Sequence, residues 1–277
     1  MNIRMNNLLY NVIHEQIKDI INNASRNIEL IKKKQKEKLH FIPISYRVFG
    51  GILQSMNIKF GYFIEEFIRQ LISNESDLEI INKYSGKKNN IFFLSHKNDR
   101  IIDAYITHCK HKHGYCNTKF LDLMNQIIDY TRVGIIGSTC IHDIDLLFRQ
   151  VSTNRLYYIE IKYNDDHDTG KFVDINRKFI KTYAYLVREL DITNIYQLTP
   201  ILFFFNDKKM KHNPYIPEAE NIMRGQDFFD EFIKSISYKE LNEYMQNLSE
   251  SPEIKKMFDD LYNKIVNSPQ LCLIYDI

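Results

Sequence analysis

Apolar positions near the start of the chain recur at helical spacing: Leu8, Leu9, Ile13, Ile17, Ile20 and Ile21 fall on one stripe. This predicts an N-terminal helix that ends in the basic run from Lys32 to Lys38, a solvated helix end or a phosphate contact. Pro43 and Gly50-Gly51 punctuate the chain, and a second helix is predicted to begin near Asn57. In FGYFIEEFIRQLI, Phe63, Phe67 and Leu71 form its apolar stripe and Ile64, Ile68 and Ile72 broaden it. Glu65 and Glu66 interrupt that stretch, either as solvated charges at the stripe's edge or as a carboxylate reaching an adjoining site. Residues 74–90 read as a helix and a polar loop, and the short runs Ile91 to Leu94 and Ile101 to Thr107 as strands. Helical spacing returns from Phe120 to Tyr130, again from Phe172 to Leu190, and from Asp227 through Ile265.

Between these helical stretches the period changes from 3.6 to 2. CIHDIDLLF puts His142, Ile144, Leu146 and Phe148 on one side of a strand and Asp143, Asp145 and Leu147 on the other. After the turn-prone STN, the segment RLYYIEIKY alternates again, with Tyr158, Glu160 and Lys162 sharing a face. A hairpin symmetric about Ser152 and Thr153 sets Asp145 opposite Glu160 and Asp143 opposite Lys162. Opposed residues share a face with their Cβ atoms about 5 Å apart, so acids and an amine would converge. A solvated salt bridge accounts for one such pair. Converging carboxylates repel, however, and a divalent cation held between them offsets that repulsion.

Composition narrows the setting. With 277 residues, 44% hydrophobic and 26% charged, the chain has the balance of one globular domain with appendages, not of a disordered protein. The formal charge of +2 neither supports nor excludes DNA as a partner, so phosphate contacts would need locally gathered lysines and arginines. No run of signal-peptide or membrane-spanning length is present, which predicts a soluble cytoplasmic protein that engages no membrane. The four cysteines are spaced like thiols rather than a disulfide framework. HCKHKHGYC offers His108, Cys109, His111, His113 and Cys116 as zinc ligands, but its spacing fits no standard zinc motif and a polar surface loop is the plainer reading. Neither a P-loop, nor G-x-S-x-G, nor His-Glu-x-x-His occurs.

With Asp145 on one strand and Glu160-x-Lys162 on the next, the chain resembles the PD-(D/E)xK nuclease superfamily; Ile144 stands where the superfamily's name has proline. The resemblance covers about residues 57–206 and implies a mixed α/β, restriction-endonuclease-like core: a central mixed sheet flanked by helices, with helical N- and C-terminal additions at 1–56 and 207–277 around one nuclease domain. Glu65 would lie on its first helix, and Thr199 to Phe205 would form its last core strand. It implies Mg2+, one or two ions per site, held by Asp145, Glu160 and the Ile161 carbonyl, with Lys162 orienting water or stabilising charge and Glu65 and Asp143 in support. NDDHDTGK resembles a follow-on found in some type II restriction endonucleases, which marks Asn164, Asp168, Thr169 and Lys171 as DNA contacts, although Asp168 or Thr169 also suits a helix N-cap. Arg177, Lys178 and Lys181, beside the apolar stripe of the next helix, are phosphate contacts or a solvated face. The implied activity is sequence-specific cleavage of double-stranded DNA leaving 5′-phosphate ends, by a homodimer accompanied by a DNA methyltransferase acting on the same site. A repair or recombination nuclease of the same superfamily, or a noncatalytic DNA-binding protein, are the alternatives.

Overall fold

The structure is a computed structural model and describes residues 2–111, 117–133, 136–166 and 168–267. In chain order the elements are α1 (Asn2–Ser25), α2 (Ile28–Lys36), α3 (Ile44–Ser73), β1 (Leu78–Ile80), β2 (Gly86–Ser95), α4 (His96–His111), α5 (Asn117–Val133), β3 (Ile136–Ile144), β4 (Leu146–Gln150) and β5 (Arg155–Lys162). They continue with α6 (Thr169–Glu189), β6 (Leu198–Phe204), α7 (Glu218–Asn221), β7 (Ile222–Arg224), α8 (Gly225–Phe232), α9 (Tyr238–Ser249) and α10 (Pro252–Val266). Two compact units result, one of residues 1–63 and 236–277 and one of residues 64–235.

The first unit is helical. Tyr10 of α1 stacks on Tyr244 of α9 with centroids 4.2 Å apart, and the Tyr244 hydroxyl donates to the Tyr10 carbonyl at 2.8 Å. Ser237 and Glu240 form a capping box at the start of α9, and Ser251 caps α10 with Pro252 in its first turn. The helix predicted from Asn57 begins earlier, at Ile44, directly after Pro43. Gly50-Gly51 does not break it, because a Cβ on Gly51 would lie 2.9 Å from Ile31 Cγ2: the glycine admits α2 rather than ending α3. Of the basic run, Lys32 is buried while Lys33, Lys34, Lys36 and Lys38 are exposed.

The second unit holds a five-stranded sheet in the order β1-β4-β5-β6-β7. The β1-β4 and β4-β5 pairs are antiparallel and the β5-β6 and β6-β7 pairs parallel, with α6 as the crossover from β5 to β6. This is the mixed central sheet flanked by helices that the superfamily resemblance implies. On one face Tyr158 stacks on Phe179 of α6; on the other, Phe148, Tyr157 and Phe203 pack against Phe228 and Phe232 of α8. The alternation of β5 thus sends Tyr157 to the α8 side and Tyr158, Glu160 and Lys162 to the α6 side.

Three expectations from the sequence are corrected here. Ile101 to Thr107 lies inside α4, where Ile102, Ile106 and Cys109 are buried at helical spacing. The stretch 74–90 contributes β1 and the start of β2. Strand β3 leaves the main sheet at Ile144 to pair with β2 in a separate two-stranded ribbon, so Asp143 does not face Lys162. The crossing from β1 to β2 is pinned on β4 by Ser85, whose Oγ donates to the Leu147 carbonyl and accepts from the Leu147 amide, each at 2.9 Å. Gly86 enters the ribbon at φ +84, with the Arg69 guanidinium 3.1 Å from where a Cβ would stand.

Candidate active site

The β4-β5 ladder has the predicted register, with Leu146 opposite Ile159 and Phe148 opposite Tyr157. Asp145 sits at the bend where the chain passes from ribbon to sheet, one residue before the ladder. Its Oδ2 accepts from the Ile161 amide at 2.8 Å and from Lys162 Nζ at 3.3 Å. Lys162 Nζ lies 2.8 Å from Glu160 Oε1 and donates to the Ile161 carbonyl at 2.7 Å. Asp145, Glu160 and Lys162 therefore meet at one spot on the α6 side of the sheet.

Glu160 is 0% exposed, a placement an ionised carboxylate tolerates only with partners. It has three: Lys162 and Lys178 share Oε1, the latter at 3.2 Å, and the Tyr158 hydroxyl donates to Oε2 at 2.9 Å. Burial pushes its pKa upward, but the two lysines and the hydrogen bonds outweigh burial and hold it at about 2. Asp145 moves the other way, raised by burial and then by the charge of Glu160. Glu65, on α3, is pushed up to about 7 by burial and then by Asp145, which puts its carboxyl in the field of the cluster. Glu66 instead pairs with Arg69 at 2.6 Å. His142, on β3, is held at about 4 by burial and then by Lys178, and its Nε2 lies 2.8 Å from Thr182 Oγ1.

The remaining candidates are dispersed. Asp143 Oδ1 accepts from the Lys88 and Asn89 amides at 2.9 and 2.7 Å, so it shapes the ribbon. Asp168 caps α6, accepting from the Lys171 amide at 3.0 Å, while Thr169 and Lys171 are exposed in the first turn and Asn164 is half-buried in the loop after β5. Arg177 pairs with Asp103 and Asp174 at 3.1 and 2.9 Å, and Lys181 with Asp99 at 2.6 Å, so acids already sit beside these two cations. Lys178, placed by sequence on the phosphate-contact side of α6, reaches back to Glu160. Tyr158 is a further residue of the site, and its alternation with Glu160 and Lys162 is the signal in the sequence that marks it. Of the possible zinc ligands, Cys109 is buried in the core, His108 lies 3.0 Å from Lys119 Nζ, and 112–116 fall outside the described residues.

The donor set suits a hard cation. Asp145 Oδ1 accepts no hydrogen bond among the described residues, and the Ile161 carbonyl and Glu160 stand beside it, giving oxygen ligands only. Among those residues no three His, Cys, Asp or Glu side chains are placed to hold a metal ion together; two carboxylates and a carbonyl would leave positions for water and substrate. No described helix is long and apolar enough to cross a membrane.

Comparison with known proteins gives the family. The family described as type II restriction endonuclease, HinfI, matches residues 5–249. The type II restriction enzyme HinfI of Haemophilus influenzae is 51% identical over 265 residues, which covers 95% of this chain and 99% of that enzyme. No solved structure matches. The chain therefore belongs to the HinfI family of type II restriction endonucleases, hydrolases that cleave DNA at specific sequences.

Proposed function

We propose that Asp145, Glu160 and Lys162 form the centre at which this enzyme hydrolyses a DNA phosphodiester with Mg2+, leaving 5′-phosphate and 3′-hydroxyl ends. The observation that carries the reading is the position of Lys162 Nζ, 3.3 Å from Asp145 and 2.8 Å from a fully buried Glu160. Asp145, Glu160 and the Ile161 carbonyl would hold the cation. When bound, it supplies Lewis-acid neutralisation of the charge that develops at the scissile phosphate. Lys162 orients the attacking water and stabilises developing negative charge. Tyr158 and Lys178 hold the Glu160 carboxylate in place. Glu65, poised near 7, takes up a proton close to neutral pH, where a general base works best.

Cutting both strands of a twofold-symmetric site suits a homodimer, and a cell that carries such an enzyme protects its own sites with a cognate DNA methyltransferase. Substituting Lys162→Ala tests the centre: plasmid cleavage in Mg2+ should fall by about 10³-fold or more while binding to a duplex persists. Cleavage at the wild-type rate would overturn the assignment.

A further inference from the structure

The β2–β3 ribbon has two faces of opposite character. On one, Phe92 and Leu94 are buried, Phe92 stacks on Tyr185 of α6 at 5.2 Å, and His142 meets Thr182. Alternation turns Ile91, Phe93, Thr139 and Ile141 the other way. Ile91 and Ile141 are directly paired across the ladder, yet they remain 62% and 71% exposed. Single exposed apolar side chains are ordinary; a cross-strand pair of them in mid-ribbon is a patch. Toward the sheet, Lys87 and Lys88 are exposed, and Asp143 gathers the Lys88 and Asn89 amides into an irregularity of the strand where Asn89 adopts φ +50.

The ribbon is continuous with the catalytic centre. Strand β3 ends at Ile144, and the next residue is Asp145. An open basin of about 290 Å³ is lined by Ile141 and His142 of the ribbon and by Lys178 and Thr182 of α6, and Lys178 is the lysine that reaches Glu160. Lys87 acts electrostatically on Glu65. Ile141 of the outer pair thus borders the basin that Lys178 links to Glu160.

We propose that the β2–β3 ribbon enters the major groove of the DNA substrate, with Lys87 and Lys88 toward phosphates and the Ile91–Ile141 pair against thymine methyl groups. The major groove, about 12 Å wide, admits a two-stranded ribbon, and the thymine methyl is the apolar feature it presents. The lysines complement the backbone charge that flanks it. The inference rests on Asp145, Glu160 and Lys162 being the cleavage centre.

The test uses a duplex that the wild-type enzyme cuts, with thymines replaced one at a time by uracil, which lacks only the methyl. Binding is measured by fluorescence anisotropy in Mg2+ in the Lys162→Ala background, where cleavage should not interfere. At one or more positions the replacement should weaken binding about fourfold, the worth of one buried methyl. Adding Ile141→Ala should remove that sensitivity. Adding Lys88→Ala should weaken binding to every duplex alike and lower the slope of log affinity against log salt by about one. Circular dichroism and thermal melting check that the Lys162→Ala background and both exposed-site variants are folded at the temperature of the assay. Uracil effects that are absent at every position, or unchanged by Ile141→Ala, overturn the ribbon proposal. Cutting by Lys162→Ala itself strikes instead at the catalytic reading, so the two failures are distinguishable.

Discussion

Strand β5 and the β2–β3 ribbon break the same rule in opposite directions. In β5 a carboxylate and an ammonium occupy a face that packing would fill with apolar groups; in the ribbon two isoleucines occupy a face that water would fill with polar ones. The consequences differ in kind. Burying Glu160 without partners would be prohibitive, so the chain surrounds it with Lys162, Lys178 and Tyr158, and the cluster becomes bound up with stability. Leaving Ile91 and Ile141 outside forgoes burial but leaves no charge unsatisfied, so nothing in the chain has to compensate. A buried charge is explained by what already surrounds it, and an exposed apolar pair by what it will meet.

The largest effects should come from stripping the cluster in β5. Lys162→Ala leaves Glu160 and Asp145 close together with Lys178 as the remaining cation, and breaking a buried pair in this way costs about 3–5 kcal/mol. Lys178 is 46% exposed and its pairing is screened by water, so Lys178→Ala should cost about 1 kcal/mol. Because each lysine partly covers for the other, the double substitution should lose more than the two single losses together. Urea unfolding at neutral pH with chelator reads all three. A Lys162→Ala variant within about 1 kcal/mol of wild type would show that ion pairing is not what makes the buried face of β5 tolerable.

Much of this comparison was legible in the sequence, because strand alternation records faces. It put Tyr158, Glu160 and Lys162 together, and the short connection at Ser152 and Thr153 fixed the β4-β5 register. Alternation does not record partners. The pattern from Cys140 to Phe148 continues without interruption while the hydrogen-bonding neighbour changes from β2 to β5, so alternation alone sets Asp143 against Lys162 although it serves the ribbon. The same limit hid α4, since the run Ile101 to Thr107 is too short for its period to separate helix from strand. Gly50-Gly51 was misleading because a glycine that admits a neighbouring helix looks the same as one that ends its own. The helical period turns Lys178 away from the apolar stripe of α6, but a four-carbon side chain reaches far enough to make an outward lysine a partner of Glu160.

A smaller effect should follow the pH. Burial, and then the charge of Asp145, raises Glu65 to about 7 from its ordinary 4.5. Between those values the folded state retains a proton that the unfolded chain has released. Stability therefore falls as pH rises through that window, and the penalty is complete above about 7. Glu65→Gln removes it. The variant should melt with wild type near pH 4 and about 3 °C or more above it at pH 8, measured without divalent ions. His142, held at about 4, protonates in an overlapping range, but it is present in both proteins and drops out when they are compared at each pH. A variant no more stable than wild type at pH 8 would place Glu65 in water rather than against the cluster.

The smallest effect is expected on the ribbon, and its smallness is the informative part. Ile91→Thr and Ile141→Thr keep the β-branch and the strand preference while removing apolar surface that already faces solvent. Each should change unfolding free energy by no more than about 0.5 kcal/mol, the usual range for a surface site. Discrimination between duplexes should change all the same, since the pair has no structural task from which to be released. A loss above about 1.5 kcal/mol would mean that the isoleucines pack within the chain after all, and the contrast between a charge held from inside and an apolar pair awaiting DNA would no longer stand.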